Sequence, residues 1–212
     1  MDRLIPFSPD VYVSIFGGYN AWAWPAFAVA AVITAVALSR LLRGDGQAGR
    51  LLALSIAASW IWTGWAFHLE TYAMLNWAAV PFGWLFIAQG LGCALWAGLP
   101  GRVPVIFHAR YAPPGFFLMA CALALHPLLV LVSGDAARHA HLFGITPAPV
   151  AAASVAALFF LKGRGSLWLL AWPVVWSAWD LASAWTMMLY RDAALPALTL
   201  AAAVFLIFRA RR

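Results

Sequence analysis

Apolar runs of roughly bilayer-spanning length recur along the whole chain, separated by short clusters of Gly, Pro and charge. Reading the runs between those breaks places helices near 22–42, 51–68, 78–98, 115–133, 148–162, 167–190 and 194–209. The pattern predicts an all-α integral membrane protein, a seven-transmembrane helix bundle. The fifth run is short against the ~20 residues of a crossing. The sixth and seventh are divided only by RDAAL at 191–195, so six spans is the alternative count. Residues 7–19, FSPDVYVSIFGGY, are too short to span and open with a Ser-Pro-Asp helix start. The chain thus divides into an outer interfacial segment, 1–21, and a transmembrane helical bundle, 22–212.

Charge tests the span count, because loops on the cytoplasmic side carry the Lys and Arg excess. With seven spans, one side receives ten cations: Arg40, Arg43, Arg50, Arg102, Arg110, Lys162, Arg164, Arg209, Arg211 and Arg212. The other receives three, Arg3, Arg138 and Arg191. A wrong count would scramble this partition, so the N-terminus is expected outside and the C-terminus in the cytoplasm, in a multi-pass protein of the bacterial inner membrane. The net charge of +6 has this topological explanation, which removes nucleic acid from the expected partners. Those are the lipid bilayer and other membrane subunits or a homo-oligomer.

Hydrophobic residues make up 65% of the chain and charged residues 9%, and short loops leave no room for a separate globular domain. Cys93 and Cys121 both sit inside apolar runs and point to neither a disulfide framework nor a Cys-rich metal site. The N-terminal MDRLIPFSPD lacks the form of a cleaved signal peptide.

The stretch HLFGITPAPVAAAS at 141–154 opens the fifth run. Thr146 can cap, proline in a first turn costs no hydrogen bond, and Gly144 permits a sharp turn. Only about 14 apolar residues follow, covering ~21 Å of a ~30 Å core, so the helix is expected to start below the outer surface. Its first N–H groups would then face an outward-open polar pocket shared with His68 or Asn76, suited to an anion or polar solute.

Asp180 is an acid in the middle of a span, a functional candidate on energetic grounds alone. It shares a helix stripe with Trp168, Trp172 and Trp176, and a carboxylate beside indoles suits a cation. A protonated or hydrogen-bonded packing acid is the plainer reading. His126, in CALALHPLLV, and His68, ending SWIWTGWAFH, lie within apolar runs, while His139 and His141 occupy the loop RHAHLFG. Imidazoles at one side could bind zinc or copper through His68, His139 and His141, or heme through His68 and His126, although the spacing is not diagnostic. No cofactor is the default expectation. Asn76 opens the third run and Gln89 lies inside it; both amides can bridge helices.

Seven spans with the N-terminus outside resemble microbial rhodopsins, but the seventh run contains no lysine for retinal, and Lys162 lies at a helix end. A closer likeness is carried by FSPDVYVSIFGGYNAWAWPA, WTGWAFH, NWAAVPFGWLFIAQG, FGITPAP and WPVVWS, in that order. Through these the chain resembles a domain-of-unknown-function family of bacterial polytopic inner-membrane proteins, sometimes labelled permeases. The resemblance draws attention to Tyr19, Asn20, Trp24, Pro25, His68, Asn76, Phe82, Gly83, Gln89, Gly144, Pro147 and Pro149. The chain departs from that pattern at Ala148, where the family has Cys, at His126, where it has Tyr, and near Asp180, where it has Gly. The expected function is a small-solute or ion permease with an outward-facing polar pocket formed by His68, Asn76, Gln89, His126, Gly144, Thr146, Trp172, Trp176 and Asp180. The alternatives are an accessory or anchoring subunit of a larger membrane complex, or a membrane-embedded metal or heme protein. Enzymatic activity is not the expected reading.

Overall fold

A computed structural model describes residues 8–99, 112–134, 139–160 and 164–211. Arg3, Arg102, Arg110, Arg138, Lys162 and Arg212, used above in the charge partition, lie outside the described residues. The described chain is helical, without strand. Its helices are α1 (Pro9–Leu42), α2 (Ala48–Trp62), α3 (Ala79–Gly98), α4 (Ala112–Ala120), α5 (His126–Val132), α6 (Pro147–Ala157), α7 (Ala171–Thr186) and α8 (Tyr190–Arg211). α2 runs on through a π-helical turn, Thr63–Leu69, and a second π-helical turn, Cys121–Leu125, joins α4 to α5. Seven rods result. Five stretches are long and apolar enough to cross a membrane: Pro9–Leu42, Ala48–Met74, Ala79–Gly98, Ala112–Val130 and Tyr190–Arg209. α6 and α7 are shorter, at 11 and 16 residues.

Successive rods run in opposite directions, as their contacts show. Trp62 meets Tyr19 and Ser55 meets Thr34, so α2 descends against α1. Gly64 packs on Gly83 near one end of α2, where a Cβ on Gly64 would lie 2.6 Å from the Gly83 carbonyl oxygen, so α2 and α3 approach backbone to backbone. Gln89 reaches the Leu169 carbonyl while Phe82 meets Trp176, which sets α7 antiparallel to α3. The start of α1, the Tyr72 turn, residues 139–146 and the α7–α8 turn therefore gather at one end, called here the histidine end. The α1–α2 turn with Arg40 and Arg43, Leu158 and Arg209 lie at the other, the arginine end.

α1 corrects the expected boundary at residue 21. Ser8 caps it, its Oγ accepting the Val11 N–H at 3.4 Å, Pro9 sits in the first turn, and the helix passes unbroken through Pro25. At 34 residues, or ~51 Å, it is longer than a ~30 Å core, and 9–21 belongs to the same continuous helix as 22–42. The last turn is also displaced: α7 ends at Thr186, the chain reverses through Met188 at φ 56, and RDAAL forms the first turns of α8. Asp192 there sits in the first turn of a helix, where a negative charge is favoured by the dipole.

α6 is the axis of the bundle. All eleven of its residues are buried, packed by α4, α7, α8 and α2. Ala, Val and Pro supply the small side chains that let four neighbours approach one short helix. The buried Cys93 and Cys121 are free thiols, as their apolar settings imply.

Candidate functional site

Three polar groups of structure lie along the bundle, and they differ in how their hydrogen bonds are satisfied. The first, at the histidine end, joins α5, the 139–146 segment and α8. His126 Nδ1 accepts the His141 backbone N–H at 2.9 Å. That fixes the proton on Nε2, which donates to Asp192 Oδ1 at 2.7 Å. Arg191 Nε lies 3.5 Å from the same oxygen, and its Nη1 donates to Ser133 Oγ at 2.8 Å. The His141 ring stacks between His126 and Phe16, with centroids 4.1 and 4.2 Å away. α1 holds the segment from its other side: Asn20 Nδ2 donates to the Ala140 carbonyl at 2.8 Å and the Tyr19 hydroxyl to the Ile145 carbonyl at 2.7 Å.

Ligand atoms of His126, His141 and Asp192 all fall within 4.8 Å of one another. That spacing would suit a metal, but the bonds do not. With Nδ1 accepting and Nε2–H donating, a neutral His126 has no lone pair left to give, and a metal would have to break one of the two bonds. The arrangement is a clamp that closes three segments.

The second group is a cleft beside it, lined by Tyr12, Tyr72, Asn76, Trp176, Trp179, Asp180 and Ser183 together with Phe67 and Met187. Asp180 is buried and faces the bundle interior. Tyr12, Tyr72, Asn76 and Ser183 bring phenol, amide and hydroxyl groups to the cleft that its carboxyl lines, and two indoles form the wall. The cavity holds about 20 Å³, room for one water or an ion of similar size.

Below the cleft an aromatic septum crosses the bundle. Phe86 is its centre, with ring centroids of His68 at 4.4 Å, Trp60 at 4.5 Å, Trp176 at 4.9 Å and Trp172 at 6.1 Å. His68 belongs to the π-helical turn that ends α2 and is fully buried. Neither of its ring nitrogens has a hydrogen-bond partner, and the indole nitrogens of Trp172 and Trp176 have none. Trp60, by contrast, donates to Ser154 Oγ at 2.7 Å. On the arginine-end side of the septum is a second cavity of about 30 Å³, lined in part by Gln89, Cys93, Trp96 and Ser154.

A family model for a family of unknown function (DUF6064) matches residues 9–212. The chain belongs to that family. No curated protein and no solved structure matches it.

For this member of the family, the structure divides the sequence-derived candidates. Asn76, Trp176 and Asp180 meet at the cleft, and His68 and Trp172 lie in or against the septum. Trp168 falls in a 3-10 turn before α7, half exposed, and leaves the stripe. Gln89 bridges helices, its Nε2 donating to the Leu169 carbonyl at 3.1 Å, and it also lines the second cavity. His126 belongs to the clamp. His68, His139 and His141 do not assemble into a metal set: Phe16 and Phe67 stand between His141 and His68, which also keeps His68 from facing His126 for heme.

Gly144 and Thr146 are the clear correction. α6 starts at Pro147 and Gly144 turns at φ 81, as the spacing implies, and residues 143–146 are buried. The cavity that Gly144 borders includes neither His68 nor Asn76. Pro147 and Pro149 have no N–H, so the first turn of α6 offers little to an anion. The Thr146 hydroxyl bonds back to the Leu142 carbonyl at 2.8 Å and does not cap the helix. Gly144 instead lines an apolar groove of about 410 Å³ between α1 and α2, with Ala30 so close that a Cβ on Gly144 would lie 2.5 Å from its Cβ. α6 is short, because the helix also stops at Ala157 and a turn carries the chain through Phe160.

The residues that sequence reasoning missed are Tyr12, Tyr72, Phe86 and Asp192. Tyr12, Phe16 and Tyr19 form an i, i+4, i+7 aromatic stripe that marks a buried helix face, a signal concealed by treating 7–19 as interfacial.

Proposed function

We propose that this chain is a permease of the bacterial inner membrane that admits a small cation at the Asp180 cleft. Seven spans, with the N-terminus outside and the C-terminus in the cytoplasm, accord with seven alternating rods and with the excess of Lys and Arg on one side. The observation that carries the reading is the cleft itself: a buried carboxyl among Tyr12, Tyr72, Asn76 and Ser183, walled by Trp176 and Trp179. A carboxylate offers a counter-charge, the polar groups replace hydration, and the indole faces favour a cation in a water-poor site. No cationic side chain stands in that list to favour an anion. The cavity's size points to ammonium or a comparably small monovalent cation rather than to a metabolite.

The test is uptake of labelled methylammonium into proteoliposomes. Saturable uptake that Asp180→Asn abolishes and Ser183→Ala weakens supports the reading; uptake equal to that of empty liposomes removes it. A reporter fused after Arg212 should be cytoplasmic and one near Arg138 outside.

The accessory-subunit reading has its own observation, the apolar groove between α1 and α2 and the exposed Trp22, Trp24, Val29 and Val32 along α1. A partner's transmembrane helix would fit such a face. Copurification of a stoichiometric membrane partner, with no methylammonium uptake by the isolated chain, would favour it.

A further inference from the structure

Two cavities lie one above the other in the bundle, a polar one at the histidine end and a mainly apolar one around Gln89 and Ser154, and the septum between them contains an ionisable side chain with no hydrogen-bond partner. We infer that the septum is the gate between the cavities and that His68 carries a proton across it. The inference rests on the permease reading and names the coupling ion for it.

The geometry supplies each part. The histidine-end cavity contains Asp180, and Trp176 both lines that cavity and meets the His68 ring edge-on at 5.0 Å. The arginine-end cavity contains Gln89 and Ser154, and Ser154 accepts from Trp60, whose ring packs on Phe86 against His68. His68 therefore lies one ring from the histidine-end cavity, across Trp176, and two rings from the arginine-end cavity, across Phe86 and Trp60. A buried imidazole with both nitrogens unpartnered loses the full desolvation cost of those groups, so selection for stability alone would favour an aliphatic side chain there. The indole N–H groups of Trp172 and Trp176 add two donors for a water or polar solute passing the same layer.

The backbone beneath His68 also departs from the α-helix. Thr63–Leu69 is π-helical, and at its end the Glu70 N–H reaches back five residues to the Trp65 carbonyl at 3.1 Å. Single π turns interrupt the α-helical ladder and recur at functional sites. Shifting such a turn to α-helix would rotate His68 relative to Trp60, which is the motion a gate residue needs. Gly64 lies inside this turn and fits against the Gly83 carbonyl, so that at this one position the turn meets α3 without a side chain between them.

The proton balance is simple. The Asp180 carboxylate takes a proton from water at the histidine end. The proton passes through water to a ring nitrogen of neutral His68, which becomes imidazolium as Asp180 returns to carboxylate. Imidazolium then releases it to water in the Gln89–Ser154 cavity and is neutral again. One proton has moved and no other bond has changed. The groups facing His68 from the packed elements are Tyr72, at 6.2 Å, from the following 3-10 turn, Phe82 and Phe86 from α3, and Trp176 from α7, with Asp180 one turn beyond. α1 contributes Tyr12 at the cleft. No cation stands among them, so a proton arriving at His68 meets no like charge.

The experiment uses the full chain in proteoliposomes with a pH-sensitive dye inside and a potassium diffusion potential imposed by valinomycin. Wild type should acidify or alkalinise the lumen according to the sign of the potential. His68→Leu and His68→Gln, both unable to hold a proton, should reduce that flux at least tenfold while thermal unfolding in detergent stays near wild type. Methylammonium binding at Asp180, followed by tryptophan fluorescence, should persist in both. Wild-type proton flux in folded His68→Gln overturns the gate role and leaves the cation cleft standing. Absence of both proton flux and methylammonium binding in wild type overturns the inference and the permease reading together.

Discussion

The bundle contains two buried histidines treated in opposite ways. His126 has both nitrogens engaged, one by a backbone N–H and one by Asp192, and its ring is stacked on His141. His68 is more deeply buried and has neither nitrogen engaged. Burial costs both imidazoles their hydration; only His126 recovers it from the protein. The difference separates a group kept for what it holds together from a group kept for something that visits it. His126 ties α5, the 139–146 segment and α8 into one end of the bundle. His68 lies in a layer of aromatic rings that would pack as well around a leucine.

The sharpest way to break the comparison is to remove the clamp's acceptor. Asp192→Ala leaves the His126 Nε2–H and the Arg191 guanidinium without their shared carboxylate, in a site where Asp192 itself is buried. Removing one partner of a buried pair costs about 3–5 kcal/mol. Thermal unfolding in detergent should fall accordingly, and His126→Leu added to Asp192→Ala should recover little of the loss, because it removes the orphaned Nε2–H but strands the His141 backbone N–H that Nδ1 accepts. An unfolding temperature within a degree or two of wild type for the single variant would mean that the clamp is decorative.

Ser154→Ala converts a satisfied group into an unsatisfied one. It strands the Trp60 indole N–H, which now donates to Ser154 Oγ at 2.7 Å in a fully buried position. The expected cost is about 1–3 kcal/mol. Trp60 would then match its septum neighbours Trp172 and Trp176, whose indole nitrogens are already unpartnered. A stability unchanged by Ser154→Ala would show that water reaches this layer from the arginine-end cavity and serves the indole instead.

His68→Leu is expected to change stability by less than about 1 kcal/mol in either direction, since the volumes are close and the imbalance of an orphaned imidazole disappears. Set against Asp192→Ala, this gives the comparison its measure: two histidine layers, one worth several kcal/mol through its carboxylate and one worth almost nothing to the fold. A loss as large as that of Asp192→Ala would show that His68 has a structural partner.

The apolar pattern made the rods legible because a span must be nearly continuous in hydrophobic residues, and that requirement acts on each segment separately. The family stretches WTGWAFH, NWAAVPFGWLFIAQG and WPVVWS converge on the septum, so its histidine and most of its rings were nameable in advance. Asp180 was legible for the energetic reason that places any intramembrane acid under suspicion. What the pattern could not carry was pairing. His126 and Asp192 stand 66 residues apart, and nothing local to Asp192 announces that an imidazole will meet it. The pocket expected at the start of α6 failed for a reason visible in the same residues: two prolines that suit a first turn also remove the N–H groups the pocket would have used. Residues 9–21 were misjudged because 7–19, taken alone, is too short to span, while in the structure it is continuous with the helix that follows.

The smallest effect is expected where the same kind of charge pair is open to water. Arg40 Nε donates to Asp45 Oδ2 at 2.7 Å in the α1–α2 turn, outside the spans, and the Gln47 backbone N–H donates to Asp45 Oδ1 at 2.7 Å. The distance equals that of His126 to Asp192, so geometry alone would rank the two pairs alike. Water screens this one, and exposed pairs contribute little to stability. The Gln47 N–H, and after it the Arg40 guanidinium, hold the Asp45 carboxyl below its ordinary 3.8. A carboxyl lowered by folding adds stability that is present above its unfolded value and is lost as pH falls through its folded value, so the contribution disappears below about pH 3.8. Asp45→Asn should therefore leave unfolding near neutrality almost unchanged and slightly flatten its decline in acid, with 1 M salt erasing most of what difference remains. A loss at pH 7 comparable to that of Asp192→Ala would contradict the premise that burial, and not hydrogen-bond length, sets the worth of these carboxylates.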